Sequence, residues 1–388
     1  MEYYIQQDIL FAFSNAVLAF FVGSTLPSWR TEGAHAVMLP KDPDAEKSIE
    51  ELIEARGYPV ESREVVTDDG YVLGLYRIPR GRLEVAGSTS QECDDSAGRP
   101  PVLLMHGLLS SAIPWVSNYP DQSIGFVLAD AGYDVWLGNV RGCTLARKHV
   151  RINPDSDVSF WNFSVQEMIE YDLPATIDYV LRETGHSRLG YVGHSQGTLI
   201  MFGLLSSVPA YNDKVRSALL KIGEMGEYGP LWKELADTPC RTKELMLLCE
   251  SMCTFTFGPT VMANVLVITG RFCKYDYGAA RNKGIYGQAT PPCYHLEKIR
   301  APVAIFWGQG DKFSRPEDID RIRARVSSIV VDERVGSGPF NHVDYLYGVD
   351  AKRVLHDRVV QVLGQYYSNA CRDSSQSRTT QPHEHAQS

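Results

Sequence analysis

Four short apolar runs recur along the chain, and each is continuous instead of alternating with polar residues. Continuous runs of this length are typical of strands that are buried on both faces, as in a parallel sheet. Segments with helical spacing lie between them, at 124–131, 165–183 and 198–206. This order of strands and helices predicts an α/β fold with a doubly wound, mostly parallel sheet. The runs are PVLLMHG at 101–107, YDVWLGN at 133–139, LGYVGHS at 189–195 and PVAIFWG at 302–308.

A β-hairpin is predicted ahead of these runs. Residues 60–80 include SREVVTDDGYVLGLYRI, in which Asp69 and Gly70 separate two β-rich segments. An Asp-Gly pair in this setting is a strong hairpin signal, so we expect an antiparallel entry to the sheet. The following stretch, 81–101, is rich in Ser, Gly and Asp and is predicted to be a surface loop.

The N-terminal segment contains an apolar run from Ile9 to Gly23. It is short for a membrane span but has the length of a signal-peptide core, which predicts entry into the secretory pathway. Glu2 and Asp8 precede it without any Lys or Arg, whereas this part of a signal peptide is normally positive. An uncleaved anchor and an ordinary buried helix therefore stay open as alternatives.

Composition excludes several classes of protein. With 44% hydrophobic and 22% charged residues, the 388-residue chain is that of a globular protein. Its net charge of −9 and the lack of a basic patch argue against a nucleic-acid partner. The eight cysteines show neither a CxxC pair nor zinc-ligand spacing, so we expect no metal and no cofactor. They allow one or two disulfides, or buried free thiols.

The sequence Gly193-His194-Ser195-Gln196-Gly197 fits the G-x-S-x-G motif. In this motif the glycines let a strand turn sharply into a helix and leave the serine hydroxyl exposed at the turn. The strand LGYV precedes it and the helical segment TLIMFGLLSS follows it, as the motif requires. Ser195 is therefore the predicted nucleophile, although an ordinary strand-to-helix turn would have the same pattern.

A serine nucleophile needs a base to take its proton and an acid to orient that base. In proteins with the G-x-S-x-G turn the three residues follow in the order Ser, acid, His. Of the five downstream histidines, two lie in the tail and His356 lies in a predicted terminal helix, 351–367. His295 and His342 remain. His342 is the better candidate because it follows a β-rich run, 328–331, and a turn-forming stretch, as a loop after a late strand would.

The predicted acid is Asp311, which orients the base. It lies in a glycine-rich loop directly after the apolar run PVAIFW, where its carboxylate can face the carboxyl edge of the sheet. Asp344 is only two residues from His342 and would not easily reach the ring from the far side. Asp318 and Asp320 are further alternatives, and a solvated surface charge is the usual role of any one Asp.

The oxyanion of a tetrahedral intermediate needs backbone N–H donors, which in this fold come from the loop after the third strand and from the residue after the nucleophile. The candidates are Leu108 and Gln196. His106 and Gly107 precede Leu108, and glycine permits a close backbone approach there. We interpret His106 as a structural residue of this loop.

Together these residues resemble the gastric and lysosomal acid lipases. The resemblance covers most of residues 57–350 and places that family's triad on Ser195, Asp311 and His342, and its oxyanion hole on Leu108 and Gln196. It is carried, in order, by HGLLSSAIPW, GYDVWLGNVRGCTLAR, YDLPATIDYV, VGHSQGT, GQGD and FNHVDY.

The resemblance implies a lipase of the α/β-hydrolase fold that cleaves neutral lipid esters, triacylglycerols or cholesteryl esters, at acidic pH without a metal. Its substrate would lie at a membrane or lipid-droplet surface, and the protein would be a secreted or lysosomal monomer. The resemblance also implies a disulfide between Cys240 and Cys249. Asn162-Phe-Ser is an N-glycosylation acceptor sequence.

Two departures from the family pattern suggest a shortened chain. No strand-like stretch is evident around Leu220, so a core strand is expected to be missing, and the helical cap is expected to be reduced. A lipid-binding relative with impaired catalysis and an esterase for short-chain esters are the alternative functions. The expected organisation is a signal or anchor at 1–30, hydrolase core at 45–210, reduced cap at 211–295, further core at 296–368 and a disordered tail at 369–388.

Overall fold

A nine-stranded sheet organises the part of the chain that the computed structural model describes, residues 43–44, 46–83, 98–221, 272–311, 316–338 and 340–378. The spatial order is β1-β2-β4-β3-β6-β7-β8-β9, and β5 pairs with β2. The pairs β1–β2, β2–β4 and β2–β5 are antiparallel and all the others are parallel. The strands are β1 Glu61–Val66, β2 Tyr71–Ile78, β3 Pro101–Met105, β4 Asp134–Gly138, β5 Lys148–His149, β6 Leu189–His194, β7 Val215–Lys221, β8 Val303–Trp307 and β9 Ile329–Arg334.

The strand predictions from the four apolar runs are confirmed, and so is the hairpin around Gly70. Strands β3 and β4 are buried along their whole length. Along β3, Leu103 and Met105 belong to the core on one face of the sheet, whereas Val102 and Leu104 belong to the core on the other. Because both faces are covered, these strands carry no polar alternation, which is why their sequences are continuous apolar runs.

Helices cover both faces of the sheet. Phe202, in the helix that follows Ser195, packs in the first core, and Phe126 packs in the second. Each is fully buried, which stabilises the fold by roughly 2–3 kcal/mol per side chain. The α-helices are α1 Ile49–Ala55, α2 Ile124–Asp130, α3 Val165–Glu167, α4 Leu173–Thr184, α5 Gln196–Ser207, α6 Tyr211–Lys214, α7 Ala279–Tyr286, α8 Pro316–Arg325, α9 Asp344–Tyr347 and α10 Asp357–Arg378, with π-helical turns at Met168–Asp172 and Lys352–His356.

The expectation of a missing core strand is wrong. Strand β7 lies between β6 and β8, parallel to both, and Leu219 and Leu220 are fully buried in it. Its sequence, VRSALLK, has only three consecutive apolar residues and follows the one-turn helix α6, so its apolar signal is weaker than those of its neighbours. Core structure therefore extends through Lys221, into the range 211–295 that the sequence assigned to the cap.

The C-terminal helix also differs from expectation. Helix α10 continues to Arg378, ten residues into the predicted tail at 369–388. Its first turns pack against the core through Val359 and Leu363, so the helix is already started. Each added residue then gains one backbone hydrogen bond, which makes extension easier than initiation. Polar composition alone therefore did not end the helix.

Several predictions fall outside the described residues. These are the apolar run at 9–23, the pairing of Cys240 with Cys249, and residues 222–271 of the predicted cap. Within the described ranges, none of the helices combines the length and apolarity needed to cross a bilayer. A disulfide joins Cys273 to Cys293, at an isolated antiparallel bridge that holds the two ends of the segment containing α7 together.

Candidate active site

Ser195 lies at the turn between β6 and α5. Its backbone has φ 53° and ψ −116°, outside the regions that a residue with a side chain usually adopts. The flanking glycines explain how the turn can close. A Cβ atom on Gly193 would lie 2.9 Å from the carbonyl carbon of Gly197, and one on Gly197 would collide with the carbonyl oxygen of Met105. Strained turns of this kind persist where the surrounding packing enforces them.

Asp311 and His342 form a hydrogen-bonded pair. The Oδ2 atom of Asp311 lies 3.0 Å from Nδ1 of His342. The Asp311 side chain is fully buried, whereas 18% of the His342 side chain is exposed. The loops that carry them meet at Phe340, whose carbonyl oxygen accepts a hydrogen bond of 3.0 Å from the Gly310 N–H. The carboxylate thus holds the imidazole at Nδ1 while part of the ring stays exposed.

The rival candidates have other contacts. His295 is largely exposed and lies 2.9 Å from Glu297. The Asp320 carboxylate forms a surface ion pair with Arg323. Asp344, the acid closest to His342 in the sequence, instead accepts a hydrogen bond from the backbone N–H of Asn341. Surface ion pairs of this kind have little influence on a buried site.

Side chains on either side of His342 fix its loop. The backbone N–H of Asn341 donates to Oδ2 of Asp344 at 2.8 Å, and the N–H of Val343 donates to Oδ1 of Asn341 at 3.0 Å. Short polar side chains stabilise turns through such local bonds. Behind the loop, Tyr345 is fully buried, and its burial together with the charge of Asp311 raises the pKa of its phenol well above the usual value.

The predicted oxyanion loop approaches Ser195, the predicted nucleophile, closely. A Cβ atom on Gly107 would lie 3.0 Å from the Cβ of Ser195, so only glycine leaves the approach unstrained. Leu109 has φ 58°, an uncommon conformation for a non-glycine residue. Leu108 is 44% exposed, while Gln196 is buried as the first residue of α5. The structure therefore places Gly107, the residue before Leu108, against Ser195, and Gln196 directly after Ser195 as the first residue of α5.

His106 is held in one tautomer. Its Nε2 accepts the backbone N–H of Val140 at 3.2 Å, so Nδ1 carries the proton and donates to the Gly107 carbonyl at 2.7 Å. Burial lowers the pKa of His106 to about 4, only partly offset by the bond to Gly107. The ring is therefore a neutral brace of the oxyanion loop near pH 7, in line with its interpretation as a structural residue.

A buried ion network fixes the segment that contacts His106. The guanidinium of Arg141 lies 2.7 Å from Asp172 and 2.6 Å from Asp69, and its backbone N–H also donates to Asp172 at 2.8 Å. Burial alone would lower the pKa of Arg141, but these two carboxylates outweigh burial and raise it. Arg141 thus stays charged and anchors Val140 next to His106.

Comparisons with known proteins bear on this arrangement. A family model described as a partial alpha/beta-hydrolase lipase region matches residues 49–119, and one described as alpha/beta hydrolase fold matches residues 100–233. Gastric triacylglycerol lipase from Bos taurus is 34% identical over 382 residues, which cover 84% of this chain and 94% of the relative. The chain belongs to the acid lipase family.

Further similar proteins support the same family assignment. Lysosomal acid lipase/cholesteryl ester hydrolase from Homo sapiens is 30% identical over 391 residues, covering 87% of this chain and 95% of the relative. Among solved structures, a lipase candidate from Acinetobacter baumannii aligns with a TM-score of 0.51 at 17% identity, over 83% of this chain and 96% of the other. That likeness shows the α/β-hydrolase fold.

Two features of the acid lipase site were not predicted. His194, inside the G-x-S-x-G motif, contacts the loop of His342, and Arg141 anchors Val140 beside His106. The position of His194 beside the predicted nucleophile was the available signal. No group of three or more His, Cys, Asp or Glu side chains in the described part of the chain is arranged to hold a metal ion.

Proposed function

We propose that this chain is a serine lipase that hydrolyses neutral lipid esters through an acyl-enzyme. The main support is the Asp311–His342 pair, a buried carboxylate 3.0 Å from a partly exposed imidazole, at the same sheet edge as the strained turn of Ser195. An acid, a base and a partly buried serine at one edge of the sheet are the groups that acyl transfer requires.

In the proposed reaction, the Ser195 hydroxyl attacks the ester carbonyl carbon while His342 accepts its proton at Nε2. Asp311 stabilises the resulting imidazolium through Nδ1. The amides of Leu108 and Gln196 stabilise the oxyanion. When the tetrahedral intermediate collapses, the bond to the alcohol oxygen breaks and His342 returns the proton to the leaving alcohol. Water, activated by His342, then releases the fatty acid from Ser195 by the same steps.

Exposed apolar side chains support a lipid substrate. Leu108, Leu109 and Val343 are 44%, 59% and 53% exposed, and each is a predicted site residue or the neighbour of one in the chain. Apolar side chains exposed around a site are typical of surfaces that contact lipid or another apolar partner. By analogy with the named relatives, we propose triacylglycerols or cholesteryl esters as substrates, presented at a membrane or lipid-droplet surface to a secreted or lysosomal monomer.

The alternative of a catalytically impaired, lipid-binding relative was argued from a shortened cap and from a missing core strand. Strand β7 removes the second reason, because it occupies that place beside β6. An esterase for short-chain esters is distinguished by its substrate profile.

Fluorophosphonate labelling of purified full-length protein tests the nucleophile. Wild type should label and Ser195→Ala should not, whereas Ser207→Ala, at the far end of the same helix, should label like wild type. Triolein, cholesteryl oleate and p-nitrophenyl butyrate should then be compared between pH 4.5 and 8. Equal labelling of wild type and Ser195→Ala would refute the mechanism, and a preference for butyrate at neutral pH would refute the lipase assignment.

A further inference from the structure

His194 lies between two loops of the site, the loop of His342 and the loop of Gly107. It is the last residue of β6, directly before Ser195, and only 4% exposed. Its ring centroid lies 4.7 Å from that of His342, at an interplanar angle of 39°. On its other side, a Cβ atom on Gly107 would lie 3.1 Å from Nδ1 of His194. One side chain thus contacts both the loop that carries His342, called the base loop here, and the loop that carries Gly107 and Leu108, called the oxyanion loop.

The contact with the base loop is directional. Nε2 of His194 lies 2.9 Å from the backbone carbonyl oxygen of His342. A carbonyl can only accept a hydrogen bond, so Nε2 of His194 must carry a proton and donate it. Asp311 holds His342 by its ring nitrogen, and His194 holds it by its backbone.

We infer that His194 is a positioning residue for the base. Its backbone is fixed by pairing of β6 with β7, while its side chain reaches a residue 148 positions away. The bond therefore sets the separation between Ser195 and His342, on which proton transfer depends. Displacement of a reacting group by about 1 Å can lower a rate by about 10²-fold. This role rests on the proposed function, because it is a role in the reaction of Ser195.

Three substitutions separate a positioning role from simple packing. His194→Gln keeps a donor at a similar reach, His194→Asn keeps a donor with a shorter reach, and His194→Leu fills the space without a donor. We expect kcat on a soluble ester to fall about 10–100-fold for Leu and Asn, with KM changed less than about twofold, and Gln to recover to within about fivefold of wild type. His149→Leu is the matched control, since its ring also contacts a carbonyl, that of Asp69 at 3.0 Å.

The midpoint of thermal unfolding is measured for each variant, so that a loss of kcat is not mistaken for a loss of folded protein. We expect the Gln and Asn variants to unfold at similar temperatures. A wild-type kcat for Asn and Leu, or a Gln variant no better than Asn, would overturn the inference. Histidine ¹⁵N NMR adds a measurement that needs no activity: the His194 resonance, assigned by its loss in His194→Gln, should show a protonated Nε2, and an unprotonated Nε2 would overturn the inference. Failure of the proposed function is a separate result, seen as wild-type protein that does not label.

Discussion

Two histidines at the same edge of the sheet have opposite surroundings. His106, in the loop after β3, is 3% exposed and lies between a backbone N–H and a backbone carbonyl. His342, in the loop after β9, has a carboxylate on one side, and 18% of its side chain is exposed. The first environment satisfies both ring nitrogens of a neutral imidazole. The second places a buried carboxylate beside a partly exposed imidazole, as a proposed acid and base require.

The difference shows how environment assigns a role to one residue type. Protonating His106 would put an N–H against the N–H of Val140 inside the protein, which is unfavourable. At His342 the neighbouring group is instead a carboxylate, whose Oδ2 lies 3.0 Å from Nδ1 and can accept its hydrogen bond. A fixed neutral ring therefore braces the predicted oxyanion loop, while the ring beside the carboxylate is the one that we propose as the base.

Replacing Asp311 by Asn should have the largest effect, because it removes the charge that distinguishes the two environments. An amide can keep a contact but does not stabilise the imidazolium and can favour the wrong tautomer. We expect kcat to fall about 10⁴-fold with little change in KM, measured on a soluble ester. Asp320→Asn, which alters an exposed ion pair with Arg323, is the control. Activity of Asp311→Asn within tenfold of wild type would show that Asp311 is not the acid.

Replacing Arg141 by Met should mainly affect stability, because it breaks the ion network behind the His106 side. The carboxylate of Asp172, which is fully buried, would be left without its counter-charge. We expect a loss of about 3–5 kcal/mol in the free energy of unfolding, measured with urea. The double variant Arg141→Met/Asp172→Leu should recover part of it. Lys148→Met, which removes an exposed pair with Glu64, should cost less than about 1 kcal/mol; equal losses for both single variants would contradict the role of burial.

These two environments were not equally predictable from the sequence. Asp311 and His342 could be proposed because each follows an apolar or β-rich run, and parallel strands bring their carboxyl ends to one edge. The contacts of His106, His194 and Arg141 could not, because they join loops far apart in sequence whose spacing only the packed sheet defines. Such contacts leave no periodic signal.

The same reasoning explains the errors in the fold. Strand β7 was missed because its apolar core is three residues long, although pairing on both sides stabilises it. The Cys273–Cys293 disulfide lies at a bridge of a single residue pair, too short to leave a strand pattern. Tertiary pairing decides both, and local sequence does not record it.

Stability at acidic pH should depend on His106. Its pKa is about 4 in the folded protein and near 6.5 when unfolded, so between these values the unfolded chain binds more protons. The contribution of His106 is fully present above about pH 6.5 and is lost as the pH falls towards 4, by about 3 kcal/mol. His106→Gln should flatten the curve of unfolding free energy against pH over this range. His295→Gln, which replaces an exposed ring, should leave the wild-type slope, and an unchanged slope in His106→Gln would contradict the buried neutral tautomer.

The oxyanion loop and the base loop should also differ in how far they depend on glycine, and this difference should give the smallest of the expected effects. A Cβ atom on Gly107 would lie 3.0 Å from the Cβ of Ser195 and 3.1 Å from Nδ1 of His194, so Gly107→Ala must displace one neighbour by a few tenths of an ångström. We expect kcat to fall about tenfold, about 1.4 kcal/mol in the barrier, with a nearly unchanged KM. In the base loop, Gly338 has no atom within 4 Å of the equivalent position and no positive φ, so Gly338→Ala should keep wild-type kcat. The base loop is fixed instead by the side chains of Asn341 and Asp344. A larger loss of kcat in Gly338→Ala than in Gly107→Ala would show that close backbone approach does not position the oxyanion loop.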